Sequence, residues 1–168
     1  MAPDLDALRE LTENVPKEAV AFFAIFARCE YALKRDPKFL RSANGAAEAN
    51  WDAFAAALTD DFLEEIRRSR VAKELLEHPP RKQIVRDAVL AWSDPGPQID
   101  NVQELFAAIR RVRNNLFHGG KFAAPTYVLA GTERERNLLG ESRAVLERAL
   151  DKCPSVKGTF LELPNSGP

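Results

Sequence analysis

Apolar residues recur at three- and four-residue spacing along most of the chain, and strand-like alternation is nearly absent. The pattern predicts a short first helix around Leu5, Leu8 and Leu11. Pro16 opens a long helix over "PKEAVAFFAIFARCEYALKR", since proline suits the first helical turn. "DPKFLRSANG" reads as a loop with a turn at Asn44-Gly45. Trp51, Phe54 and Leu58 mark a third helix, and Thr59 to Leu76 holds further helical turns that "HPP" breaks. "RKQIVRDAVLAW" is predicted as a short helix, followed by a loop at "SDPGPQ". Asp100 with Gln103, and Thr132 with Glu135, have the spacing of capping boxes for two late helices. The first of these helices ends at Gly119-Gly120. The segment "TFLELP" is a short extended piece or a tail. The fold expected is all-α: an up-and-down bundle of four main helices with short accessory ones. One domain spans 1–168, with its core at about 16–152 and a tail over 153–168.

On a helical wheel, Ala19, Phe22, Phe23, Phe26 and Leu33 form one apolar stripe, with Glu30 in its middle. Val102, Leu105, Phe106, Ile109 and Leu116 form another, with Arg113 in its middle. Two opposite charges on core-facing stripes each need a partner, and the economical solution is that they pair with each other. The alternative is that both side chains reach out to water.

Composition narrows the class. With 45% hydrophobic and 29% charged residues, the 168-residue chain has the make-up of a folded domain. A net charge of -1 excludes a globally basic nucleic-acid binder, though not a locally basic site. Cys29 and Cys153 read as buried or idle thiols in a reducing compartment. The acidic start is not a signal peptide, and no apolar run is long enough to span a membrane, so a cytoplasmic protein with no membrane partner is expected. No Cys, His and carboxylate spacing suggests a metal site, and no cofactor is expected. His78 reads as a loop residue, and most of the phenylalanines read as core.

The informative stretch is "RRVRNNLFHGGK", residues 110–121, in which no acidic residue interrupts the arginines. Arg110, Arg111, Asn114 and His118 fall on one polar, positive flank beside Arg113, and Lys121 adds a further cation. His118 sits in the last helical turn, where it can accept and donate a proton. The two glycines after it would allow a phosphate close approach. Together these residues suit an anionic ligand with a proton to move.

"RNNLFHGGK" at the end of a late helix resembles the Arg-x4-6-His motif of the HEPN superfamily, and "FFAIFARCEYALKR" is similar to the first core helix of some bacterial members. The resemblance runs from Pro16 to about Leu150. It implies a four-helix bundle that forms a homodimer and brings two motif copies to one cleft. Many members are metal-independent endoribonucleases of toxin, abortive-infection and CRISPR-linked systems. The resemblance therefore implies an RNA substrate, Arg113 and His118 as catalytic residues, and an antitoxin or defence-system protein as partner. Asn114 matches the polar residue favoured after the arginine, and Glu30 supports Arg113 through the expected pair. Gly120 replaces the tyrosine that one subfamily has modified by a nucleotidyltransferase, so that scheme is not implied. RNA brings its own nucleophile, the 2′-hydroxyl, so a proton-transfer group and a phosphate clamp suffice. Two other classes stand beside this reading. One is a non-catalytic module that binds nucleotide, RNA or a partner protein. The other is a helical scaffold with a chance motif.

Overall fold

The computed structural model describes residues 13, 15–118, 122–123, 128–129 and 132–162. The short first helix expected around Leu5 and the glycines after His118 lie outside them, as does Lys121. Among the described residues the chain is mainly helical. The helices are α1 (Lys17–Arg35), α2 (Trp51–Ala57), α3 (Thr59–Ser69), α4 (Lys73–Glu77), α5 (Val102–Phe117), α6 (Glu133–Lys152) and α7 (Pro154–Leu161). Three two-stranded antiparallel ribbons join them: β1 (Leu40–Ala43) with β2 (Ala46–Ala49), β3 (Gln83–Arg86) with β4 (Val89–Trp92), and β5 (Phe122–Ala123) with β6 (Val128–Leu129). α1 lies against α6 and α7, while α5 lies against α2 and α3 and also meets α1, α4 and α6.

The helix starts follow the expected chemistry closely. Pro16 precedes the first turn of α1. Thr132 and Glu135 form the reciprocal capping box of α6. For α5 the cap falls one residue later than the spacing suggested. Asn101, not Asp100, accepts from the Glu104 amide at 2.8 Å, and Glu104 reaches back to the Asp100 amide at 3.4 Å. The helix over 59–76 is split, because Arg70 takes a left-handed conformation, φ 56°, between α3 and α4.

The ribbons were not expected. Asn44 and Gly45 have φ of 51° and 85°, the primed turn that closes a two-residue hairpin, so the expected turn is the tip of β1–β2. Arg41 and Glu48 face each other across it, with an N–O distance of 2.9 Å. The predicted short helix "RKQIVRDAVLAW" is instead the β3–β4 hairpin, turning at Asp87 and Ala88 with φ of 52° and 61°. Its valines and leucine mimic a helical stripe but bury nothing, as Val85, Val89 and Leu90 are all exposed. β-branched residues on both sides of an Asp turn favour the strand form once no core face is being served.

Within the expected C-terminal tail, Pro154–Leu161 form a helix. Pro154 starts α7, Val156 is buried, and Arg28 of α1 donates to the carbonyls of Phe160 and Glu162. Ser155 adds a hydrogen bond to Asp36 at 2.8 Å.

α4 has five residues and cannot hold itself. Glu141 of α6 accepts from the amides of Glu74 and Leu75 at 3.1 and 2.7 Å, and Arg134 bonds Glu74 at 2.6 Å. Replacing Glu141→Ala leaves two backbone donors without their acceptor and should cost about 1–3 kcal/mol. Glu141→Gln, which keeps one oxygen, should lose less in a thermal melt. If Glu141→Ala melts with wild type, apolar packing alone docks α4.

Candidate functional site on α5

α5 has two faces. Val102, Leu105, Phe106, Ile109, Val112 and Leu116 are buried in the core. Gln103, Ala107, Asn114 and Phe117 are exposed, with Arg110 half-buried among them. This outward strip repeats at helical spacing over four turns, and only at its end, where Phe23 of α1 stacks on Phe117, does another described element lie against it in a ring contact.

His118 ends the helix. Its amide donates to the Asn114 carbonyl at 2.9 Å, and its exposed imidazole lies edge-on to Phe117, 6.2 Å between ring centres. It opens onto a groove of about 400 Å³ that Lys82, Arg110, Arg111 and Asn114 also line. The far wall is the segment leading into β3. Asn115 donates to the Arg81 carbonyl at 2.9 Å and Arg111 to the Pro80 carbonyl at 3.0 Å, so both hold that wall against α5. Burial lowers the Arg111 pKa, but a guanidinium keeps its charge regardless. Arg111 is thus partly spent on the wall, whereas Arg110 makes, among the described residues, a long contact to Asp52, 3.9 Å.

Arg113 turns the other way. It donates to Glu30 at 3.3 Å, and its guanidinium carbon sits 5.0 Å from the centre of the Phe26 ring. Trp51 donates to the same Glu30 oxygen at 3.3 Å. The two charges placed on apolar stripes do meet, but at the core's edge: their side chains are 29% and 33% exposed. The Nε of Arg113 is buried with no hydrogen-bond partner among the described residues. A polar pocket of about 290 Å³ opens beside the pair, and Arg110 lines it as well as the groove. Five residues of helix put Arg113 and His118 about 140° apart. Within one chain they therefore flank the outward strip from opposite sides, and Arg110 is the cation common to both.

Two aromatic side chains depart from the expected core. Phe117 is 63% exposed and Phe23 is 45% exposed, and their rings stack at 5.6 Å with 21° between planes. The wheel carried the signal, since Phe117 stands two turns after Arg110 on the polar side. Burial pushes the Cys29 thiol up to about 12, so it is no nucleophile. Among the described residues no group of three His, Cys, Asp or Glu side chains is placed to hold a metal ion, and no helix is long and apolar enough to cross a membrane. No family model, curated protein or solved structure matches the chain.

Losing one partner of a fully buried ion pair costs about 3–5 kcal/mol. The partial exposure of Glu30 and Arg113 reduces that, and Glu30→Ala should cost about 1–2 kcal/mol, shared between Arg113 and Trp51. Glu30→Gln keeps an acceptor and should be milder. Equal melting of Glu30→Ala and wild type would show the pair to be incidental.

Proposed function

We propose that the chain is a metal-independent endoribonuclease of HEPN type, a helical bundle that works as a homodimer. The observation that carries the reading is the setting of His118. It is an exposed imidazole at the end of a helix whose outward strip carries Arg110, is flanked by Arg111 and Arg113, and is bounded by a groove. Such a group can take the proton from an RNA 2′-hydroxyl as O2′ attacks the adjacent phosphorus. The P–O5′ bond then breaks, the 5′-oxygen takes a proton, and a 2′,3′-cyclic phosphate remains. One imidazole cannot be base and acid at once, so two copies of α5 near a twofold axis would supply both. Arg113, oriented by Glu30, and Arg110 would stabilise the charge on the phosphate. Resemblance alone suggests the setting, a toxin or defence system with an antagonist protein.

A non-catalytic RNA- or nucleotide-binding module is the second reading. What favours it is the engagement of Arg113 by Glu30 and Phe26, on the far side of the strip from His118.

RNA cleavage in EDTA separates the two. His118→Ala should keep the fold, because the ring is exposed, and lose about 10²–10⁴ in rate. A 2′-deoxy substrate should resist, products should end in a cyclic phosphate, and wild type should sediment as a dimer. Cleavage that requires a divalent metal, or His118→Ala cutting as fast as wild type, would overturn the catalytic reading.

A further inference from the structure

An exposed phenylalanine at the end of a helix, beside a groove lined by cations, needs a reason. Phe117 is 63% exposed and sits on the same strip as Arg110 and Asn114. It is not loose. Phe23, reaching across from α1, stacks on one face of its ring at 5.6 Å and 21°, and the His118 ring stands edge-on at 6.2 Å. With Phe23 on one face and the residue 63% exposed, the ring keeps open surface on which a third ring can stack. An aromatic plane fixed in advance loses little freedom when a ligand stacks on it. The surroundings define the ligand's charge. Arg110, Lys82 and His118 line the adjoining groove, and Arg110 precedes Phe117 by two helical turns, about 10 Å along the axis. A planar apolar group tied to an anionic chain fits this pairing. A nucleobase on its sugar–phosphate backbone has that chemistry, and only an unpaired base has a free face.

We propose that Phe117, braced by Phe23, is a stacking platform for an unpaired base of single-stranded RNA, whose neighbouring phosphate is held by Arg110. The proposal rests on the RNA reading above and adds selectivity for unpaired strands. A duplex keeps its bases stacked on each other, so it can use the cations but not the platform.

The test is fluorescence anisotropy with a short labelled 2′-O-methyl RNA of mixed sequence, which lacks the attacking hydroxyl and stays intact, single-stranded and annealed to its complement, against the full chain. Phe117→Ala should weaken single-strand binding by roughly five- to hundredfold and leave duplex binding unchanged. Phe117→Leu keeps apolar bulk without a ring and should behave like Phe117→Ala, while Phe117→Trp should bind as wild type does. Arg110→Ala should weaken both RNAs. The stacking proposal alone is overturned if wild type binds single strands and Phe117→Ala binds them equally well, or if it loses strand and duplex binding alike. It is also overturned if sedimentation shows that Phe117→Ala has lost self-association, which would make the aromatic pair a contact between copies. Wild type that binds neither RNA overturns the RNA reading together with it.

Discussion

The rotation of α5 about its own axis is set by one side chain. Phe106 inserts into an aromatic cluster, with ring centres 5.5 Å from Phe54, 5.8 Å from Trp51 and 6.5 Å from Phe62. Those partners come from α2 and α3, so a single residue joins three helices. Burying a phenylalanine is worth about 1.5–3 kcal/mol, and aromatic pairing adds to it. Turning α5 by one residue would take Phe106 out of the cluster and leave Leu105 or Ala107, neither with a ring, in its place. With that angle fixed, helical geometry fixes the rest. Arg110, Asn114 and Phe117 must face outward, Arg113 must face α1, and His118 must face the segment before β3. The cluster reaches the ion pair as well, since Trp51 bonds the same Glu30 oxygen as Arg113.

Sequence periodicity shows where a helix has a core to serve and is silent where it does not. α1, α5 and α6 each bury a regular apolar stripe, and all three were legible together with the Thr132 cap. The Glu30–Arg113 contact was legible for the same reason, because a charge on a buried stripe demands a partner. Its position at the core's edge was not, because a wheel describes one helix and exposure depends on the neighbours. The β3–β4 hairpin was misread because Ile84, Val85, Ala88 and Val89 fit helical spacing, while the left-handed turn at Asp87-Ala88 lacks the usual glycine. Phe117 was hidden by the habit of assigning phenylalanine to the core. α7 was missed since "SVKGTFL" is short and carries only one fully buried side chain, Val156.

The split between Arg113 and His118 bears directly on mechanism. In one chain, the arginine is bound to Glu30 and covered by Phe26 while the histidine stands in the open. Arg113 therefore has a structural duty whatever else it does, whereas His118 has none that its exposure reveals. Arg110 is the cation that reaches both sides of the strip. A second basic cavity of about 370 Å³, lined by Arg67, Arg70 and Lys73, lies elsewhere, but Arg67 is already committed to Glu64 and the Ile99 carbonyl. That leaves the α5 strip as the surface where cations, an exposed imidazole and a braced aromatic ring come together.

Titration of the isotope-labelled protein with a short single-stranded RNA, followed by NMR, tests most directly whether that strip is the nucleic-acid surface. Shifts are expected at Arg110, Asn114, Phe117 and His118, with Arg67, Arg70 and the tip of the β3–β4 hairpin unmoved. Shifts centred on the Arg67–Lys73 cavity or on the hairpin tip, with α5 silent, would contradict it.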